Sequence, residues 1–488
     1  MTEEEMQALR KENAALKEAL TEKEQRIQEL EGLLMGALLR IEELERRLAK
    51  DSHNSSLPPS RDHGTRKPLG PRPKSQKPSG GQKGHLGHTL MQVQTPDEVI
   101  AHRPLVCQRC HRDLREEAGE IIERRQVHDV PVLRLQVHEH QREAICCPDC
   151  QHLSYGRFPE RVDAPVQYGP RVQALAVYLS QFQLLPVQRT CEALDDVCQA
   201  AVSQGTVLQW ISEAAHALEP TGEHLKELLL RSHVQHVDET SVHVNGLVRW
   251  VHVNSTRWLT LYSWQPKRGA EGIQAVGIIP RFAGRAVHDR WTSYDRYACS
   301  HSLCGAHLIR DAIFVAEQQK QAWAQDMVDH LLHLVEVTGQ WREKGARFLP
   351  PEVRDRLLAQ YFSILADGFA AHAAQAPPRS DPPRKKAGRK KQDPSKNLLD
   401  ALLLRAEQVL AFVDDLSVPF PNNLAERDLR MIKVQQKVSG TFRSPQGAIA
   451  FCTIRSYLST MRKQGRSMLD AMLAVFAGSP FPIAWAPE

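Results

Sequence analysis

No run in this 488-residue chain approaches the roughly 18–20 apolar residues that a membrane span requires. Its opening residues are highly charged and contain no hydrophobic leader. A cytoplasmic protein without a membrane partner is the expectation. Cysteine is sparse: ten residues in 488 make no disulfide scaffold, and in a cytosolic chain paired cysteines are more often metal ligands. A strong net charge is missing too, the formal balance being only +5. No internal repeat is visible. A complete phosphate loop is also absent. GGQKG, residues 80–84, lacks the Gly-Lys-Ser/Thr ending, and neither a strand before it nor a helix after it is signalled.

What is present is enough chain for two or more domains, with 41% apolar residues, normal for a globular protein. The small net charge hides an uneven distribution. Residues 52–93 carry seven Lys/Arg against one Asp, and residues 376–396 carry eight against two. Two basic, Pro-rich connectors in a nearly neutral chain suit contact with a polyanion, although charge alone equally fits soluble linkers.

Residues 1–50 predict one long helix. A heptad places Met6, Asn13, Leu20, Ile27, Leu34, Ile41 and Leu48 at a, and Leu9, Leu16, Lys23, Leu30, Ala37 and Leu44 at d. Asn13 at an a position is a common register device, and a dimeric coiled coil is expected; the bland reading is a helix packed on its own protein. The segment 51–93, with HNSSLPPSRD and SGGQKGHLGHTL, reads as a flexible basic linker. Residues 94–165 alternate in RRQVHDVPVLRLQVHEHQREAI and are read as short strands between two knuckles, Cys107-Gln-Arg-Cys110 and Cys147-Pro-Asp-Cys150. Four thiolates suit tetrahedral Zn²⁺, and a region with so small a core needs such a staple. Cys107, Cys110, Cys147 and Cys150 are the expected ligands of a structural zinc, with Cys146 an alternative to Cys147. Residues 166–230 are helical, and 185–218 read as helix, turn, helix with Ser203 as a cap; plain packing helices are the alternative.

From residue 233 the pattern changes. VQHVDETSVHV, LVRWVHVNS and RWLTLYSW predict three strands in a meander, the first two joined by Asn245-Gly246. Asp238 stands inside the first, costly unless it faces a cleft or a cation. Asp289 follows the short strand GRAVHD. In PFPNNLAERDLRMIKV, Asn422 or Asn423 can cap a helix on which Glu426, Arg430, Lys433 and Lys437 share one face and Ala425, Leu429 and Ile432 form the adjacent stripe. Three carboxylates from two strands and a helix meet the need of a Mg²⁺ pair in phosphodiester displacement. Taken singly, a strand-end Asp is more often a turn residue, and Glu426 can be a surface partner of Arg430.

Several ordered blocks then resemble one family over nearly the whole chain: NSSLPPSRD with GGQKGHLGH, the paired knuckles, HVDETSVHVNGLVRWVHVNSTRWLTLY, KRG, AVHDRWTSY, LCGAHLIRD and VPFPNNLAERDLRMIKVQQKVSGTFRS. The chain resembles transposases of the insertion sequence 66 family. That resemblance implies an α/β multidomain protein with a ribonuclease-H-like core, interrupted by a helical insertion and preceded by coiled coil, zinc ribbon and helix-turn-helix-like domain. It implies these boundaries: coiled coil 1–50, linker 51–93, zinc domain 94–165, helical domain 166–230, first core part 231–304, insertion 305–410, remaining core 411–450 and helical tail 451–488. Asp238, Asp289 and Glu426 match the catalytic triad that holds Mg²⁺ or Mn²⁺. Asp295 is the runner-up for the second position; Asp428 points elsewhere on the helix. The Cys304-x-x-His307 pair in LCGAH, with nearby Cys299, is similar to a zinc knuckle; within the family's block these residues are read as packing. The implied reaction cuts a phosphodiester at an element end and passes the freed 3′-hydroxyl strand into target DNA. Double-stranded DNA, a second copy of the chain and accessory proteins of the same element are the implied partners, in a bacterial cytoplasm at the nucleoid. Arg427, Arg430, Lys433, Lys437 and Arg443 are candidate phosphate contacts. Removing one should weaken binding uniformly and flatten its salt dependence. A non-catalytic or domesticated DNA-binding descendant, and a host nuclease of the same fold, remain the alternatives.

Overall fold

The structure, a computed structural model, describes residues 3–51, 53–55, 89–375 and 392–485. Most of the expected linker, GGQKG included, and most of the basic stretch 376–396 lie outside the described residues. The chain divides into two compact units, one of residues 1–71, 160–192 and 202–488, the other of 72–159 with 193–201.

The heptad stretch forms one 46-residue helix, α1 (Glu3–Leu48). Its apolar positions from Leu16 to Leu48 are exposed. The helix stops in a compact turn that the linker reading missed. The Asp51 carboxylate accepts the backbone N–H groups of His53 (2.8 Å) and Asn54 (3.1 Å), while the Asn54 amide donates back to the Ala49 carbonyl at 2.9 Å. Asn54 and Ser55 are buried. Side-chain amides and carboxylates that bond their own backbone compete well with disorder, so this part of the polar HNSS stretch is ordered.

In the smaller unit, β1 (Ala144–Cys146) and β2 (Leu153–Tyr155) pair antiparallel. The strands expected over RRQVHDVPVLRLQVHEHQ do not form: residues 119–143 are assigned no strand. Val127, Val130, Val132 and Val137 are exposed. Alternation supplies an apolar face, but a strand also needs a partner for its N–H and C=O groups and a layer to cover that face.

In the larger unit, α2 (Pro170–Val177) runs into a π-turn, Tyr178–Phe182. The next helix, α3 (Val187–Cys198), whose residues from 193 onward belong to the smaller unit, leads through a short turn to α4 (Gln204–Ala217). Ser203 caps α4 by accepting the Thr206 N–H at 3.1 Å. After α5 (Glu219–Leu230) come β3 (Val234–Val244), β4 (Leu247–Ser255) and β5 (Thr260–Gln265). At the β3–β4 hairpin Asn245 and Gly246 both have positive φ, 49° and 73°, as the favoured two-residue turn demands. Next stand α6 (Ala270–Val276), β6 (Arg285–His288) and β7 (Ser300–Leu303). The sheet order is β5-β4-β3-β6-β7, with the first three antiparallel and β3, β6 and β7 parallel.

The helices α7 (Gly305–Gln319), α8 (Ala322–Glu343), α9 (Pro351–Gln375), α10 (Pro394–Leu404), α11 (Ala406–Val409) and α12 (Ala411–Asp414) bury one large apolar cluster against Val287 and Leu303 of the sheet. α13 (Asn423–Val438) and α14 (Pro445–Lys463) cover the other part of that face, and α15 (Met468–Phe476) follows. α14 runs across residue 450 without a break. On α13, Ala425, Leu429 and Ile432 pack on Val242, Val244, Val251, Val253 and Tyr262. Leu429 and Ile432 each contribute about 1.5–3 kcal/mol by that burial. On the opposite face, Val237 and Ala286 pack with Ile273 of α6.

Candidate active site

Strand parity determines where Asp238 points. Side chains alternate between faces, and Asp238 has the parity of Val242 and Val244, which pack against α13. Its partner across β4, Val253, lies in the same cluster. Asp238 therefore faces the helix that bears Glu426. The parallel register of β3 and β6 pairs His236 with Val287. Beyond that pair the chain runs on to Asp238 and Asp289, and the Asp289 charge acts on Asp238. Asp289 lies just beyond the β6 end, and its Oδ1 accepts the Trp291 N–H at 2.9 Å.

A set of contacts ties α13 along β3. At its start the Asn422 amide donates to the Val237 carbonyl (2.9 Å) and its Oδ1 lies 2.9 Å from His236 Nδ1. Burial pushes His236 down to about 4, so its neutral ring donates to that oxygen. The Asn422 backbone N–H donates to Cys304 Sγ at 3.1 Å. Asn422 thus stands at the helix cap without capping it by its side chain, because that amide is spent on β3. Midway, Lys433 donates to the Ser241 carbonyl at 2.6 Å. At the far end Phe442 donates to His243 (3.1 Å) and accepts from Asn245 (2.9 Å).

Close approach at Gly305 brings α7 to the same place. A Cβ there would stand 2.1 Å from the Phe420 ring, and the Gly305 N–H donates to the Phe420 carbonyl at 2.8 Å. Cys304 and His307 are carried in with it. Both lie 3.8 Å from Glu426 Oε1, through Sγ and Nδ1. Burial, then the Glu426 carboxylate, push the Cys304 thiol up to about 11; burial pushes His307 down to about 4. The packing reading of these two residues thus misses that they adjoin a candidate ligand. Cys299 is buried elsewhere, 4.0 Å from His301.

The electrostatics of the three carboxylates are coupled. Burial first, then the charges of Glu239, Asp289 and Glu426, raise Asp238 well above the usual carboxylate range. Glu239 points to the opposite face, where Tyr294 donates to it at 2.7 Å and Arg268 pairs with it at 2.8 Å. Among the described residues no lysine or arginine is recorded in an ion pair with Asp238, Asp289 or Glu426. Hard oxygen donors facing one another without a counter-charge fit a divalent cation of the Mg²⁺ class. Their oxygens do not all fall within 4.8 Å of one another; among the described residues the group that does is Cys304, His307 and Glu426. Two ions about 3.5–4 Å apart require a wider ligand set than one ion does.

The runner-up Asp295 is ion-paired with Arg405. Asp428 is turned away from Glu426 into a buried network: Lys463 pairs with it at 2.9 Å, and Ser255 and Thr260 donate to it at 2.7 and 3.1 Å. Lys463 also donates to the Thr256 and Leu259 carbonyls. Neither Lys463 nor the Asn422 bracket carries a sequence signal; only their partners, up to 208 positions away, reveal them. Arg427, Arg430, Lys433, Lys437 and Arg443 are exposed along and just after α13.

The two cysteine knuckles share one geometry. Each first cysteine donates its N–H five residues on (Cys107 to Arg112, 2.8 Å; Cys147 to His152, 2.9 Å) and accepts four residues on, from His111 and Gln151, at 2.9 Å. His111 and Gln151 both have φ of 57°. Backbone N–H groups aimed at Cys107 and Cys147 hold both thiols below their usual range. Within each knuckle the two sulfurs interact; among the described residues the four are not gathered into one cluster.

No helix among the described residues is long and apolar enough to cross a membrane. No curated protein matches the chain. A family described only as being of unknown function matches residues 2–91. The model of the family described as Transposase IS66 family matches residues 165–450, more than half of the chain, spanning every strand of the five-stranded sheet and the whole of α13. The chain belongs to the IS66 transposase family.

Proposed function

We propose that this transposase is a metal-dependent DNA strand-transfer enzyme of the DDE type, with Asp238, Asp289 and Glu426 as its cation ligands. The observation that carries this reading is a buried aspartate on which the charges of two further carboxylates act. The strand order β5-β4-β3-β6-β7, with only the last two parallel to β3, supports a ribonuclease-H-like core. The helices α7 to α12, between β7 and α13, support the reading of a helical insertion.

Divalent cations held there would supply Lewis acidity to the attacking and leaving oxygens of a phosphodiester. The chain's own residues do the positioning. Asp238 lies between strand and helix partners, so one carboxylate serves both sides of the site. The Asn422 bracket keeps Glu426 in register with Asp238. Arg427, Arg430, Lys433, Lys437 and Arg443 present an exposed basic row that suits the phosphates of double-stranded DNA. Lys433, tied to Ser241, is the most fixed of them.

The paired knuckles, alike in turn geometry, support a structural zinc held by Cys107, Cys110, Cys147 and Cys150. The exposed heptad face of α1 supports self-association as a coiled coil. Deletion of residues 1–48 is then expected to lower the oligomer size; an unchanged sedimentation profile would remove that claim.

The central test uses purified protein, labelled element ends and Mg²⁺. Asp238→Asn is expected to lower nicking and joining by roughly 10³-fold or more, about 4 kcal/mol of barrier, with end binding nearly unchanged. End binding by the unaltered protein without any nicking or joining would favour a non-catalytic DNA-binding descendant. Cutting without end specificity or joining would favour a nuclease.

A further inference from the structure

The Cys304–His307–Glu426 cluster differs in chemistry from the three carboxylates. It offers one sulfur, one imidazole nitrogen and one carboxylate oxygen, all within 4.8 Å of one another. His307 Nδ1 is buried and has no hydrogen-bond partner, though it faces Glu426 Oε1 at 3.8 Å. Cys304 Sγ stands 3.8 Å from the same oxygen and already accepts the Asn422 N–H. Such a donor does not compete with a metal: a thiolate keeps lone pairs for both. Cys304 is also the N-cap residue of α7, so its position is fixed by the start of that helix. Glu426 keeps about 30% of its side chain exposed, which leaves a path in and room for a fourth ligand.

We propose that Cys304, His307 and Glu426 form a second cation site, selective for a borderline-soft divalent ion such as Zn²⁺, which competes with the Mg²⁺ site for Glu426. A tetrahedral ion with bonds of about 2.0–2.3 Å sets its ligand atoms roughly 3.3–3.5 Å apart. The separations of 3.8 Å to Glu426 thus need only a slight closure. Mg²⁺ disfavours sulfur and imidazole donors, whereas Zn²⁺ accepts all three and keeps an open position. The competition, though not the site, rests on the reading of Glu426 as a catalytic ligand. With zinc bound, Glu426 is withdrawn from Asp238 and Asp289.

The test measures metal content of the full chain, knuckles intact, after loading with Co²⁺ and removal of excess. Cys304→Ser and His307→Gln are each expected to bind one equivalent less than the unaltered protein and to lose part of the visible cobalt absorption. Equal content in folded variants overturns the site. Cadmium NMR of the unaltered protein gives a reading that needs no variant. A resonance in the mixed sulfur, nitrogen and oxygen range supports the site, and thiolate-only signals overturn it. Added Zn²⁺ is expected to inhibit Mg²⁺-dependent cleavage at least tenfold, less so in His307→Gln. Zinc that binds without inhibiting overturns the competition and leaves the site standing. Metal content reads the site even where no cleavage is detected, so failure of the catalytic reading is separable.

Discussion

Two segments of this chain carry the same alternation of apolar and polar residues and end in different states. VQHVDETSVHV becomes an eleven-residue strand at the centre of a sheet. QVHDVPVLRLQV in the cysteine-bearing unit forms no strand and leaves its valines exposed. The first has β4 and β6 on its two edges, α13 over one face and α6 behind the other. In the second, neither a partner strand nor a covering layer stands among the described residues. Alternation is thus a permission to form a strand; neighbours make it one. The sheet-bearing unit can rely on buried apolar area. The cysteine-bearing unit has little, and its two repeated turns are where a metal would serve instead.

The largest test of that contrast is zinc removal. Chelation is expected to abolish protection from amide exchange around both knuckles, since a structural zinc is worth on the order of 10 kcal/mol, while β3 to β7 stay protected. Knuckle exchange indifferent to the chelator would end the proposal of a zinc staple.

Acidification should act mainly on the other unit. Burial pushes His252 and His288 down to about 4 each, against about 6.5 in an unfolded chain. Between pH 6.5 and 4 the unfolded state takes up protons that the native state refuses, so stability falls as pH falls through that window. The loss is on the order of 3 kcal/mol per histidine and saturates below pH 4. Denaturation series across that range, with His252→Gln as control, check it; a flat profile would contradict the burial of these rings.

A comparable but smaller loss is expected from Lys463→Met. It leaves Asp428 buried with only hydroxyl partners, at a cost of about 3–5 kcal/mol. Removing both charges should restore much of that, because an apolar replacement has no desolvation to offset. A single-variant loss below about 1 kcal/mol would show that the pair is screened by water.

Much of the fold around the candidate site was legible beforehand because its signals are local. Asn-Gly marked the hairpin, period-two runs marked β3 to β5, and the stripe Ala425, Leu429 and Ile432 marked the buried face of α13. Gly305 was quoted in its block, but its reason, the Phe420 ring, lies 115 positions away. Cys304 and His307 were read as packing because their neighbour Glu426 arrives from a distant helix. Asn422, one of two asparagines read as able to cap α13, instead bonds β3 with its side chain, a choice made by what lies across the helix start.

By itself the sequence determined the family, the periods of helix and strand, and which residue types were available for metal and phosphate. Those depend on covalent order and on interactions within a few residues. The tertiary structure alone decided which alternating run became a strand, which of two nearby carboxylates was buried with Lys463, and which sulfur met Glu426. Such outcomes follow from burial, which sets both the cost of a charge and the availability of a partner, and burial is a property of the packed chain.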